Sequence, residues 1–165
     1  MKMLSQKTIL CGLALLLSRG YGWSADLGHK PTLTLEVAKE IAQAAEKKAL
    51  ANHWAMVISV IDDGANLLCL ERMDDAPIGS LEVSQKKARS AVIFKSPTKD
   101  FADALAKGAT ALLKLDILPF EGGIPLVVDG KVIGAIGVSG GAAEQDGQVA
   151  KAGADWFSAN ARSSK

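Results

Sequence analysis

The sequence predicts an α/β fold of the α+β type, in which helices pack over one antiparallel sheet. Apolar, β-branched runs occur in two pairs, and the turn within each pair contains Asp-Gly, at Asp63-Gly64 and at Asp129-Gly130. Asp-Gly between such runs is typical of an antiparallel hairpin, because a type I′ turn needs positive φ at both central residues. Helical patterns before, between and after the hairpins disfavour the crossovers of a parallel sheet.

The first predicted elements are a helix and a hairpin. Thr34 is the predicted N-cap of a helix that ends near Asn52. The apolar stripe of this helix repeats at intervals of four residues. It consists of Val37, Ile41, Ala45 and Ala49. Two strands follow, over 55–62 and 66–73, and residues 63–65 form the turn between them.

Two further helices are predicted between the hairpins. Ser80 is the predicted N-cap of a helix that runs to Phe94. A short helix follows, with Pro97 at its first position, where the missing N–H of proline costs nothing. The chain of 165 residues has the length of one domain.

The second hairpin and a last helix complete the predicted fold. The strands are predicted over 124–128 and 132–138, and the helix over 143–157. Gly134 and Gly137 lie inside the second strand, where glycine marks a close approach by another backbone or by a ligand. We expect this glycine-lined hairpin to form one wall of a small-molecule cavity.

The first 24 residues have the layout of a secretory signal peptide. Lys2 and Lys7 precede an apolar run, Thr8–Leu17, which is too short to span a bilayer, and small residues follow it. The sequence therefore predicts a periplasmic or secreted protein with no membrane insertion after cleavage. The predicted order is a signal peptide (1–24), a flexible leader (25–32), a single domain (33–158) and a polar tail (159–165).

Charge and cysteine content exclude several classes of partner and bond. The full chain has 19 basic and 18 acidic residues, and without residues 1–24 it keeps 16 and 18, a net charge of −2. No basic field then remains for nucleic acid or anionic lipid. Cys69 becomes the only cysteine, so no internal disulfide can form. We interpret it as a buried apolar side chain rather than a reactive thiol.

Few side chains in the sequence point to chemistry, and no phosphate loop, dinucleotide fingerprint or His-Glu-x-x-His helix is present. Glu121 lies on the loop before the second hairpin and is a candidate acid or base if buried, or else an exposed loop acid. Lys86, Lys87 and Arg89 form a basic cluster, which is either a solvated face or a site for carboxylates. His53, at the turn after the first helix, is either a surface residue or a metal ligand.

Four blocks of the sequence carry a family resemblance. They read VIDDGANLLCLERMDDAP, KARSAVIFKSPT, FEGGIPLVVDGKVIGAIGVSGG and EQDGQVAKAG. Together they resemble the GlcG/HbpS family of small heme-binding-type domains, which is related to the C-terminal domain of PduO-type corrinoid adenosyltransferases. The resemblance covers about Leu33 to Phe157, nearly the whole chain after the signal peptide.

The resemblance implies a profilin-like arrangement of three layers, α/β/α, together with homo-oligomers and the binding of heme or a related tetrapyrrole. Many relatives carry a histidine in the first hairpin turn, at the position that matches Asn66 here. Asparagine is a poor iron ligand, so the obvious axial residue is missing. Met73 and His53 remain as candidate iron ligands.

On this interpretation the heme lies between the segment Lys86–Thr98 and the loop Glu121–Gly123. Lys87 and Arg89 are predicted to meet the propionates, and Phe94 or Met73 to pack against the ring. The predicted binding residues are Met73, Lys87, Arg89, Phe94, Thr98, Glu121, Gly122 and Gly123.

Two alternatives to a heme-binding protein for uptake, storage or sensing remain open. The first is an enzyme that acts on a small metabolite with Glu121 and Arg89. The second is a partner module of a sensor or transport system, without chemistry of its own. A binding role is favoured over an enzymatic one because the sequence contains no recognised catalytic motif.

Overall fold

A computed structural model describes residues 30–161. The predicted signal peptide, the leader up to residue 29 and the last four residues of the tail lie outside the described residues. Four α-helices, a short 3-10 helix and four strands make up the described part. They are α1 (Leu35–Ala51), β1 (Val57–Asp62), β2 (Leu67–Arg72), α2 (Ser80–Phe94), α3 (Thr98–Ala106), the 3-10 helix (Thr110–Lys114), β3 (Gly123–Val128), β4 (Lys131–Ser139) and α4 (Ala143–Asn160).

The four strands form one antiparallel sheet in the order β2-β1-β4-β3. Each predicted hairpin supplies two neighbouring strands, and the hairpins join where β1 pairs with β4, from Val57 opposite Ser139 to Asp62 opposite Gly134. The two hairpins and the antiparallel sheet are therefore confirmed.

The side chains of a strand alternate between the two faces of the sheet. Apolar residues point to both faces here, and helices cover both. Ile58 and Val60 belong to the main core with residues of α1 and α4. Ile61 belongs to a smaller core with Ala88 and Ala91 of α2. The molecule thus has three layers, with α1 and α4 on one face of the sheet and α2 on the other, as expected.

The main core lies between the sheet and the pair α1 and α4. Ile41, Met56, Ile58 and Ile136 are completely buried in it, and Phe157 nearly so. Burying one such side chain contributes about 1.5–3 kcal/mol. Among the described helices, none is long and apolar enough to cross a membrane.

The helix starts agree with the sequence at α1 and differ at α2. Thr34 caps α1, and its hydroxyl accepts a hydrogen bond from Val37 N at 3.3 Å. At α2 the cap position is Gly79, so the prediction for Ser80 is wrong by one residue. The Ser80 side chain is buried, and its hydroxyl accepts a hydrogen bond from that of Ser139 at 3.2 Å.

The other helix ends deviate slightly from their predicted positions. Pro97 is the N-cap of α3 and not its first helical residue, and α4 continues to Asn160. Differences of one to three residues at helix ends are common because the last turns fray.

The two hairpin turns are held in different ways. In the second turn Asp129 and Gly130 have φ of 49° and 73°, as a type I′ turn requires. In the first turn the carboxylate of Asp62 accepts hydrogen bonds from Gly64 N and Asn66 N at 2.9 and 2.8 Å. The amide Nδ2 of Asn66 also donates to this carboxylate. Asn66 therefore stabilises the turn in which many relatives are expected to carry histidine.

The glycines inside β4 face the protein's own backbone. A β-carbon at Gly137 would overlap the carbonyl oxygen of Ser84 and lie 2.6 Å from Ala88 N, both in α2. A β-carbon at Gly134 would overlap the carbonyl oxygen of Ile61. Of the two explanations for these glycines, the close backbone approach is confirmed, and the expectation that the hairpin walls a cavity stays a prediction.

This packing predicts a large cost for the smallest possible side chain at position 137. We expect Gly137→Ala to lower the free energy of unfolding by about 1–3 kcal/mol or more, because α2 must move away from the sheet. Urea unfolding measures the loss. Gly79→Ala is the matched control, since no atom lies within 4 Å of its added β-carbon. Equal losses at the two positions would contradict this account of the glycine.

Candidate functional site

Two openings lie at the same end of the sheet, where β1 and β3 begin and β2 and β4 end. We call the first the Lys87 cleft, with a volume of about 300 Å³, and the second the His53 groove, with about 430 Å³. The Lys87 cleft is lined by Val83, Lys87, Leu118, Phe120, Ser139, Gly141, Ala143 and Asp146. The His53 groove is lined by Glu46, Leu50, His53, Trp54, Ala55, Arg72, Met73 and Asp74.

A buried ion pair forms the floor of the Lys87 cleft. Lys87 Nζ donates to Asp146 Oδ2 at 2.6 Å and to the carbonyl oxygen of Val138 at 3.0 Å. The two charged side chains are only 3% and 4% exposed. Asp146 Oδ1 accepts a hydrogen bond from Gly141 N at 3.0 Å. Burial raises the pKa of Asp146, while the hydrogen bonds from Lys87 and Gly141 act against the rise.

Two glycines allow α2 to bring Lys87 to this position. Gly122 has φ of 125°, which side chains rarely adopt, and a β-carbon there would lie 2.7 Å from the carbonyl oxygen of Val138 and 3.0 Å from Lys87 Nζ. A β-carbon at Gly123 would overlap the carbonyl oxygen of Lys87. Both predicted binding glycines therefore make room for the protein itself.

Thr98 and Glu121 attach the loop before β3 to its surroundings. Thr98 is fully buried, and its hydroxyl accepts a hydrogen bond from Gly123 N at 2.8 Å. The carboxylate of Glu121 lies against Gly147 of α4, with its oxygen Oε2 at 3.8 Å from Lys99 Nζ. Heme was predicted to lie between the segment Lys86–Thr98 and the loop Glu121–Gly123. The structure shows direct contact between this segment and this loop, at Thr98 and Gly123.

The basic cluster is divided between two sides of α2. Lys87 is buried, while Arg89 is exposed, and residues two positions apart on a helix do not share a face. Lys86 is exposed and pairs with Glu82 at 2.6 Å. Lys87 and Arg89 therefore lie on different sides of α2 and could not both contact one small ligand.

Phe94 also lies away from Lys87, at the end of α2. It is 37% exposed and packs edge-on against Phe101 of α3, with 5.8 Å between the ring centroids. This contact fixes α3 against α2 and leaves part of the Phe94 ring accessible.

The His53 groove joins residues that are distant in the sequence. His53 follows α1 with φ of 57°, and Met73 follows β2, with its backbone N donating to the carbonyl oxygen of Met56 at 3.0 Å. The structure thus brings both candidate iron ligands to the same groove. Arg72 also lines this groove and was not predicted as a site residue, although it directly precedes Met73.

Arg72 is held in a fixed position beside this groove. Its Nε and Nη2 both donate to the carbonyl oxygen of Ala76, at 3.2 and 3.1 Å. A guanidinium has five N–H donors, so this anchoring leaves others to bind an acid. The groove therefore combines an imidazole, a thioether and a cation with the apolar side chains of Trp54 and Leu50.

A third opening, the Trp156 cleft of about 310 Å³, lies at the other end of the sheet beside the turn between β3 and β4. Its walls are mostly apolar and contain none of the residue types His, Cys or Met. It is lined by Pro31, Thr32, Leu33, Val37, Val128, Ile133, Trp156, Phe157, Asn160 and Ala161.

Within residues 30–161, no group of three or more His, Cys, Asp or Glu side chains could hold a metal ion by itself. Cys69 is half-buried in β2, and burial raises the pKa of its thiol. The raised pKa keeps the thiol protonated and agrees with its interpretation as an unreactive residue.

Comparisons with known proteins show the class to which this fold belongs. The model of a family described as "Haem degrading protein HbpS-like" matches residues 33–155. The chain therefore belongs to the HbpS-like family, and the resemblance to the GlcG/HbpS family is confirmed. The protein GlcG of Escherichia coli K12 is 46% identical over 112 residues, which cover 67% of this chain and 83% of GlcG.

Two solved structures share the fold. Klebsiella pneumoniae ORFY is 38% identical, with a TM-score of 0.74 over 82% of this chain and 98% of that one. PduOC, solved as a complex with heme, is 30% identical, with a TM-score of 0.68 over 76% of this chain and 94% of that one. The three-layer arrangement is thus common to the family.

The buried ion pair predicts strong coupling between its partners. We expect Lys87→Met and Asp146→Leu each to lower the free energy of unfolding by about 3–5 kcal/mol, because each leaves an unpaired buried charge. The double variant should lose less than either single variant, since apolar side chains of similar volume often replace a buried pair without cost. Urea unfolding of the four proteins measures the coupling.

Lys86→Met is the matched control for this cycle. Lys86 is exposed, and its substitution should change the free energy of unfolding by no more than about 0.5 kcal/mol. Losses that simply add in the double variant would show that Lys87 and Asp146 act independently.

Proposed function

We propose that this protein binds heme, and that the His53 groove holds it. His53 and Met73 line the same groove, and this shared lining supports the proposal most directly. Imidazole nitrogen and thioether sulfur are the axial ligands of many heme proteins. Membership of the HbpS-like family and the heme complex of the related PduOC support the choice of heme.

The rest of the groove suits the other parts of a heme. Arg72 offers its remaining N–H donors to a propionate, and guanidinium binds carboxylate in a planar, two-bond geometry. Trp54 and Leu50 provide apolar surface for the ring. Bound heme supplies an iron that takes axial ligands and changes its oxidation state. His53 and Met73 would hold that iron, and Arg72 would orient the ring.

The competing openings fit heme less well. Lys87 is already paired with Asp146, so it offers no free charge to a propionate. The Trp156 cleft has apolar walls, but no imidazole or thioether lines it. Of these three openings, only the His53 groove combines an imidazole, a thioether and a cation, and a further opening of about 500 Å³ that shares Arg72 and Met73 with it has no histidine in its lining.

The site predicts a residue-specific loss of heme binding. We expect hemin titration to give a Soret shift at micromolar concentrations, and His53→Asn to weaken binding by roughly tenfold or more by removing an iron ligand. Asparagine tolerates the positive φ at this position, so the substitution should leave the fold intact. Met73→Leu, which keeps the volume and removes the sulfur, should change the spectrum of the bound heme.

The chain offers a matched control, because its only other histidine is His29. His29→Asn should leave both affinity and spectrum unchanged. Loss of binding with His29→Asn but not with His53→Asn would contradict the assignment to the His53 groove. The absence of any Soret shift in the unsubstituted protein would contradict heme binding itself.

We further propose that the protein is exported and acts in the periplasm or outside the cell. The basic start and short apolar run of residues 1–24 support this proposal. Mass spectrometry of protein from fractionated cells should find the chain outside the cytoplasm, beginning at residue 23 or 25. A cytoplasmic protein that retains Met1–Ser24 would contradict export.

Self-association is also part of the proposal. Several large apolar side chains are exposed on the described surface, which favours contacts between copies of the chain. The most exposed are Ile78 at 74% and Leu113 at 69%. A homo-oligomer would cover them.

A further inference from the structure

The Lys87 cleft retains a charged pair that stability alone does not explain. Lys87 and Asp146 are almost completely buried, yet both line an opening to the surface. Apolar side chains often stabilise such a position as well as an ion pair does. Buried titratable groups that border a cleft are candidates for a functional site. The pair is separate from the His53 groove and has no part in the heme proposal.

The charges of the cleft select a neutral ligand. Its lining contains one cation, Lys87, and one anion, Asp146, which pair with each other. The charge of an acidic or basic ligand would therefore find no unpaired opposite charge in the cleft. Two more carboxylates lie near Asp146: Glu144 is in the same first turn of α4, and Glu121 lies against Gly147, the residue after Asp146. They further disfavour an anion.

The polar atoms suit a carbonyl group. An ammonium has three N–H donors, and Lys87 uses two of them, towards Asp146 and Val138. The remaining donor can bind a carbonyl oxygen. Val83, Leu118 and Phe120 supply apolar walls beside it. The volume of about 300 Å³ is at the lower end for ligand pockets, and it suits a small molecule.

We propose that the Lys87 cleft is a second small-molecule site, which takes small aldehydes or ketones with an apolar or aromatic body. Lys87 is the nucleophile of this site and condenses reversibly with the carbonyl carbon to form an imine. Asp146 is the group that exchanges protons with Lys87.

The condensation balances without any co-reactant. Lys87 first passes a proton to Asp146, and the free amine then forms a bond to the carbonyl carbon while the π electrons move to oxygen. The oxygen takes up two protons, one returned by Asp146 and one from the nitrogen, and leaves as water. The products are a protonated imine on Lys87 and one water molecule. Burial raises the pKa of Asp146 and thereby assists the proton transfer to its carboxylate.

Reductive trapping tests the proposal on the unsubstituted protein. The protein is incubated with limiting benzaldehyde and sodium cyanoborohydride, and modified lysines are located by peptide mass mapping. We expect Lys87 to be modified at least about tenfold faster than the exposed Lys86, because binding raises the local concentration of the aldehyde. Modification that follows exposure, with Lys87 among the slowest residues, would overturn the proposal.

Variants separate reactivity from folding. Asp146→Asn keeps the shape of the side chain and removes the proton acceptor, so trapping at Lys87 should slow while circular dichroism confirms the fold. Lys86→Met should leave trapping at Lys87 unchanged. If Asp146→Asn does not fold, the rates of Lys87 and Lys86 in the unsubstituted protein still decide the question.

Heme titration of the trapped protein distinguishes this proposal from the preceding one. Modification at Lys87 should leave the Soret shift and the affinity for hemin unchanged, because the two openings have no lining residue in common. Trapping without heme binding would support the Lys87 site alone. Heme binding without selective trapping would overturn the Lys87 site and leave the His53 groove in place.

Discussion

The close contact between helix α2 and strand β4 is the constraint on which the rest of the structure depends. It exists because Gly137 carries no side chain where Ser84 and Ala88 of the helix meet the strand. The same contact places Lys87 beside the end of β4, within hydrogen-bond distance of Val138 and Asp146. The glycine in β4 therefore determines where a buried charge lies, although it binds nothing itself.

Most of the fold could be predicted because its signals are local. The Asp129-Gly130 turn needs only two neighbouring residues with positive φ, and both have it. Thr34 caps its helix through a contact three residues away. Such features depend on short-range backbone chemistry, which a single sequence displays directly. The start of α2 could not be predicted as well, because the hydroxyl of Ser80 is occupied by Ser139, 59 residues later in the chain.

The candidate sites depend on long-range contacts and could be predicted only in part. His53 and Met73 were recognised by residue type, but their meeting in one groove depends on how α1 and β2 pack. Lys87 was assigned to a heme propionate as part of a basic cluster, and its pairing with Asp146, 59 residues later, could not be seen in the sequence. From the sequence, Asn66 was notable only because it stands where many relatives are expected to carry a histidine ligand. The structure shows that its side chain holds the turn through Asp62.

The two openings at the same end of the sheet differ in chemistry. The His53 groove combines an imidazole, a thioether and the anchored guanidinium of Arg72 with the carboxylates of Glu46 and Asp74, and the first three of these suit an iron-bearing acid. The Lys87 cleft presents an ion pair without net charge beside apolar walls, which suits an uncharged carbonyl compound. The family relationship bears on the first of these and not on the second. Because the two openings have no lining residue in common, substitutions in one opening can be made without changing the residues of the other.

A crystal structure of the protein grown with hemin tests the central claim most directly. We expect heme in the His53 groove, with His53 or Met73 on the iron and Arg72 at a propionate. Heme bound instead in the Trp156 cleft, or held only between copies of the chain without contact to His53 and Met73, would contradict it.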